Sequence, residues 1–272
     1  MASLEHYLDD RVAHGRSYFV GEEARSALGV SQRNFAAAVT RLINKERLAN
    51  PRHGFFLILR PEDRIAGAPD PVRWIDPLMK YQGLAYRVSL LRAAAFHGSS
   101  HQAAMVFQVI APKQLRDFEI GRQRLQFLYQ APHAFSHVNL AAQLDQMKSD
   151  EGFANVAGVE LTLLDCARYF HDAGGISGVA QIAKDIGGKA NSRQLAAAAD
   201  GYENSSVRRL GYLLELAGHS RQAKTLEPLA KKAKSLLPLN PAVKPLVASL
   251  AELREINSRW KLVVNESVEF DS

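Results

Sequence analysis

Histidines four residues apart occur twice, as His97/His101 and His133/His137, the spacing that can bring two imidazoles onto one helix face for zinc. Glycine follows His97 where the metalloprotease pattern carries its general-base glutamate, and Gly98 weakens the helix that would align the rings. These histidines are expected to end helices or face solvent, and no metal or cofactor is expected. Gly98-Ser99 has the glycine-serine opening of nucleotidyltransferases, but no carboxylate follows before Asp117 to share a magnesium ion. Asp165-Cys166 with His171 supplies the residue types of a thiol nucleophile. Leu161, Leu164, Ala167 and Phe170, at three-residue spacing, place Cys166 inside an apolar helix instead, where an unactivated thiol is inert. Gly174-Gly-Ile-Ser-Gly178 lacks the lysine and the spacing of a P-loop and reads as a turn. The chain is therefore expected to act by binding, not by catalysis.

Two sets of basic and polar residues remain. Ser31, Gln32, Arg33, Asn34, Ala37, Thr40 and Arg41, followed by Arg52 and His53, have the side chains with which proteins read a duplex. An arginine donates two parallel bonds to a guanine edge, asparagine matches adenine, and alanine admits the backbone or meets a thymine methyl. Thr40, Arg41, Arg52 and His53 would lie nearer phosphates. In the second set, Arg208, Arg209, Arg221, Lys224, Lys231, Lys232 and Lys234 face only Glu215 and Glu227, a local charge of +5. That is either a solvated helical face or a second surface for a polyanion or an acidic partner.

The elements around the first set give it a geometry. Ser3 caps a helix to about Ala13, Tyr18 to Val20 is extended, and a second helix runs from Gly21 to Leu28 before Gly29. Ser31 caps a third helix, where Phe35, Val39, Leu42 and Ile43 form an inward stripe. Arg33, Ala37, Thr40, Arg41 and Asn44 fall on the opposite side at ~100° per residue. Strands at 47–50 and 55–59 flank the turn Pro51-Arg52-His53-Gly54. This order predicts a winged helix-turn-helix domain over residues 1–60, whose third helix, ~10 to 12 Å across, would fit a major groove ~12 Å wide. Three prolines and a glycine make 61–71 a linker.

Residues 72–272 read as a larger mixed domain, so the expected fold class is α+β. Helices are expected at 74–98, 161–170, 176–186, 192–199, 207–217 and 223–236. Strands are expected at 105–111, 117–120, 124–129, 260–265 and 268–270.

The 272 residues are 47% hydrophobic and 23% charged, which excludes disordered and collagen-like classes. A single cysteine excludes an internal disulfide framework and points to the cytoplasm. Acidic residues near the start and the lack of a long apolar run predict neither a secretory signal nor a membrane role. The net charge is +6, and residues 1–60 hold nine Lys/Arg against six acids. So modest an excess predicts two copies on a palindromic double-stranded DNA site, with half-sites about one helical turn apart. A protein-interaction module of the same shape remains the alternative.

Four stretches resemble the AbiEi family, the antitoxins and transcriptional regulators of bacterial abortive-infection (AbiE, type IV) toxin–antitoxin systems. They are the N-terminal winged-helix region; Tyr86-Arg-Val-Ser-Leu-Leu-Arg-Ala-Ala-Ala-Phe-His-Gly98; Val159-Glu-Leu-Thr-Leu-Leu-Asp-Cys-Ala-Arg-Tyr169 with Gly174-Gly175; and Val207-Arg-Arg-Leu-Gly-Tyr-Leu-Leu-Glu215. The resemblance implies a repressor of its own operon that binds inverted repeats through its N-terminal domain. It also implies a C-terminal domain, here 72–272, that counteracts a co-encoded nucleotidyltransferase-like toxin without necessarily forming a stable complex with it. A stand-alone regulator without antitoxin activity is the competing reading, and a nucleotidyltransferase reading frame next door separates the two.

Overall fold

The computed structural model describes residues 3–99, 106–149, 152–244 and 255–270. Contacts divide the chain into two compact units, 1–87 with 105–129 and 146–155, and 88–104 with 130–145 and 156–272.

In the first unit, α1 (Leu4–Ala13) begins where the Ser3 hydroxyl accepts from the His6 N–H at 3.2 Å. Then come β1 (Tyr18–Val20) and α2 (Gly21–Leu28), which Gly29 closes in the left-handed conformation. α3 (Gln32–Asn44) is capped by the Ser31 hydroxyl on the Asn34 N–H at 3.3 Å, and β2 (Leu48–Arg52) and β3 (Phe55–Ile58) form a hairpin. The three strands make an antiparallel sheet in the order β1-β3-β2. Leu4, Leu8, Phe19, Phe35, Val39, Leu42, Leu48 and Ile58 share one core. Each such side chain contributes about 1.5–3 kcal/mol when fully buried.

The stretch 61–71, read from the sequence as a linker, carries folded structure. It holds one-turn 3-10 helices at Pro61–Asp63 and Pro71–Arg73, bridged by an Arg73–Asp63 ion pair at 3.0 Å. The Trp74 indole, fully buried, donates to the Pro69 carbonyl at 3.0 Å. The prolines fix φ for these turns rather than keeping the chain open. α4 (Ile75–Tyr81) follows.

A further sheet contains β4 (Arg87–Val88), β5 (Val106–Ala111), β6 (Phe118–Ile120), β7 (Gln123–Tyr129), β8 (Leu144–Ser149) and β9 (Gly152–Ala157), in the order β6-β7-β5-β4-β9-β8. β5 and β7 are parallel, and β6 is antiparallel to β7. Because Val88 pairs into this sheet, the helix expected over 74–98 is interrupted: α4 ends at Tyr81 and the chain becomes helical again only at Leu90. β8 and β9 were not expected; their polar residues hide the alternation. Met105, where the expected first strand begins, lies outside the described residues.

The Tyr86 hydroxyl is buried beside β9, donating to the Asp76 carboxylate at 3.1 Å and accepting from the Asn155 N–H at 3.2 Å. Burial first, and then the Asp76 charge, push its pKa above the ordinary tyrosine value. The folded state thus keeps the proton that an unfolded chain loses above about pH 10. Stability from this group is complete below pH 10 and falls above it, by about 1.4 kcal/mol per pH unit. Denaturation at pH 8 to 11 is expected to show this loss in the wild type and a shallower one in Tyr86→Phe. Equal slopes would remove Tyr86 as its source.

The second unit is mainly helical: α5 (Leu90–His97), α6 (Pro132–Val138), α7 (Val159–Arg168), α8 (Gly175–Ile186), α9 (Ser192–Ala199), α10 (Asn204–Leu216) and α11 (Ser220–Lys231). α7 is buried from Glu160 to Ala167 and α10 from Ser206 to Leu214, as expected of central helices enclosed by others. A small sheet joins β10 (Leu237–Pro238), β11 (Glu255–Asn257) and β12 (Leu262–Val264) in the order β10-β12-β11. The helix expected to reach Leu236 ends at Lys231, and 268–270, expected as a strand, has no regular structure. Together the elements form a mixed α+β chain. No described helix is long and apolar enough to cross a membrane.

Candidate nucleic-acid interface

α3 buries Phe35, Val39 and Leu42 and leaves Gln32, Arg33, Asn34, Ala37, Thr40 and Arg41 exposed, with the Ser31 cap exposed at its start. Ile43, expected in the buried stripe, is 39% exposed. Counted from Phe35 it lies ~80° around the helix, at the rim of the stripe. On that same flank Gln32, Ala36, Thr40 and Ile43 line a groove of 460 Å³ together with Glu22 and Arg25 of α2 and Asn50 and His53 of the hairpin. The sequence-predicted residues thus separate. Arg33 and Ala37 lie on the crest, Gln32 and Thr40 at the groove, and Asn34 and Arg41 on the other flank. Ala36, Ile43 and Asn50 were missed, although the ~100° projection that found Arg33 also finds the first two. The Thr40 hydroxyl donates to the Ala36 carbonyl at 3.0 Å, so only its lone pairs are left for a ligand.

The two hairpin residues differ. His53 is exposed at the tip. Arg52 folds back over the unit's own sheet, with its guanidinium 4.1 Å from the Phe118 ring centre, and it donates to the Arg116 carbonyl. Burial, and then the nearby Arg116 charge, lower its pKa. The phosphate contact expected of Arg52 is therefore corrected: its guanidinium already holds the hairpin in place.

The second basic set needs a larger correction. Arg208 and Arg209 are 1% and 5% exposed and belong to the core. Arg208 donates to the carbonyls of Trp260 at 2.7 Å, Ser235 at 3.1 Å and Lys261. Arg209 donates to Leu239 at 3.0 Å and Ala167 at 2.8 Å, with its guanidinium 4.4 Å from the Phe170 ring centre. Burial lowers both pKa values, that of Arg209 to about 10. Together they fasten the segment that carries β10 and β12 to α10. Gly211 leaves room for the Trp260 ring, whose N–H donates to Glu215 at 2.5 Å. Arg221, Lys224, Lys231, Lys232 and Lys234 are exposed, with Lys231 paired to Glu227 at 3.2 Å.

Asp165 accepts from the Ser89 hydroxyl at 2.7 Å and the Tyr202 hydroxyl at 2.6 Å, bracing α7 in the core. Cys166 beside it is fully buried, and desolvation, then the Asp165 charge, push its thiol pKa well up. A thiol reagent is expected to leave the native chain unmodified and to label Cys166 after unfolding. Stoichiometric labelling of the folded protein would contradict this placement. The His97 ring nitrogen Nε2 lies 2.7 Å from the Ala157 carbonyl, while His101 lies outside the described residues. Among the described residues no group of three or more histidine, cysteine or acidic side chains could hold a metal ion.

Residues 87–216 match the family model of the AbiEi antitoxin C-terminal domain. That segment belongs to the AbiEi antitoxin family. The AbiEi match gives the chain an antitoxin role in a toxin–antitoxin system, and it spans the three C-terminal stretches singled out in the sequence, apart from Tyr86 at the edge of the first. Within it, the Arg208-Arg209 pair and Asp165 are structural. The chain is similar in fold to the crystal structure of the RV2827C protein from Mycobacterium tuberculosis, with a TM-score of 0.63 and 16% identity over 94% of this chain and 89% of that one. No curated protein matches the chain.

Proposed function

We propose that this AbiEi antitoxin is also a DNA-binding repressor of its own operon, with residues 3–60 acting as a winged helix-turn-helix. One observation carries the reading: α3 buries a single stripe and leaves Gln32, Arg33, Asn34, Ala37, Thr40 and Arg41 open to a duplex, with His53 exposed at the hairpin tip. Arg33 reads a base edge, while Arg41 and His53 meet phosphates. Two copies occupy an inverted repeat, with half-sites about one helical turn apart. The AbiEi domain counteracts a nucleotidyltransferase-like toxin encoded alongside, by binding rather than by catalysis. The exposed cations Arg221, Lys224, Lys231, Lys232 and Lys234 serve as a second surface, for phosphates or for an acidic partner.

A reporter driven by the upstream region, combined with a toxin-rescue assay, tests both halves. Arg33→Glu is expected to lose repression and keep rescue; repression at the wild-type level would count against the α3 assignment. Charge reversal at Lys224, Lys232 and Lys234 together is expected to lower operator affinity or rescue. If it changes neither, the second surface has no role.

A further inference from the structure

We propose that Tyr81, on α4 and outside the 3–60 segment, is the positioning residue that sets the hairpin tip for DNA. The inference rests on the winged-helix reading above and adds a residue to it. The turn between β2 and β3 is held both from within and by neighbouring elements. The Asn50 side-chain amide donates to the carbonyls of Arg52 at 2.7 Å and Phe55 at 2.8 Å, closing the turn from inside. The Gly21 N–H donates to the Gly54 carbonyl at 2.8 Å. Arg52 is stacked on Phe118. The remaining free group, the His53 carbonyl at the tip, accepts from the Tyr81 hydroxyl at 3.1 Å.

Tyr81 reaches that carbonyl because Gly54, at φ +78°, has no Cβ; one built there would stand 2.5 Å from the tyrosine oxygen. The Tyr81 ring lies 5.7 Å from the Phe55 ring centre and is 43% exposed, so it borders the same groove that α3 lines. The His53 peptide is thus held from α4, and the exposed imidazole beside it is presented at a fixed height relative to α3. An ordered hairpin binds without first losing the freedom of its tip.

The test uses the full chain and a fluorescently labelled duplex carrying the upstream inverted repeat, titrated at several salt concentrations, with a scrambled duplex as control. Tyr81→Phe keeps the ring on Phe55 and removes only the hydroxyl. It is expected to weaken operator binding about threefold to tenfold, the span of one net hydrogen bond. It should leave the base preference set by Arg33 unchanged, and the loss in binding should exceed what the accompanying small drop in thermal midpoint accounts for. Tyr81→Ala should weaken binding further. If Tyr81→Phe binds with wild-type affinity, or loses affinity only in step with thermal stability, the positioning role is overturned while the DNA reading stands. If the unsubstituted chain binds neither duplex, the DNA reading fails and takes this proposal with it.

Discussion

Arg208→Ala is expected to destabilise the protein by about 3 kcal/mol, because a side chain only 1% exposed loses its packing together with its bonds to the Trp260, Ser235 and Lys261 carbonyls. For a chain of this size that is a drop in melting temperature of roughly 6 to 12 °C. Arg208→Met, which keeps most of the apolar stem, should fall between wild type and alanine, since packing is retained and the carbonyls are not. Arg221→Ala, one helix further along and exposed, should stay within about 0.5 kcal/mol. Chemical denaturation of the three variants separates a core arginine from a surface one. Equal effects at positions 208 and 221 would contradict the placement of Arg208.

Arg33→Ala carries the second large effect, on binding. A bidentate arginine–guanine contact is worth about 1 to 3 kcal/mol, so operator affinity is expected to fall roughly 5- to 150-fold. Binding to scrambled DNA should change little, and one base position should lose its preference. Arg52→Ala should instead act through the fold: with its guanidinium committed to Phe118, it loosens the hairpin and lowers stability. An equal loss on operator and scrambled DNA for Arg33→Ala would place Arg33 on the phosphates, away from the bases.

How much of this the sequence could show depends on the range of the forces involved. The capping serines, the Phe35-Val39-Leu42 stripe and the exposed crest of α3 are local consequences of helix geometry, so spacing alone finds them. Ile43 shows the edge of that method: a residue at the rim of a stripe is settled by what packs beside it. Arg208 and Arg209 show a different limit. Seven cations against two acids look like a surface when only charge is counted, yet two of those guanidinium groups found acceptors in the carbonyls of residues 25 or more positions away, among others. Arg52 meets Phe118 and Tyr81 meets His53 by the same kind of distant pairing. The prolines of 61–71 fix local φ values, which serve a folded turn as well as an open linker.

Footprinting of the purified chain on the upstream region of its own operon tests the DNA claim most directly. The account predicts protection of an inverted repeat, with two major-groove segments about one helical turn apart and guanine contacts that disappear in Arg33→Ala. Uniform or absent protection at protein concentrations that fully rescue cells from the toxin would contradict it.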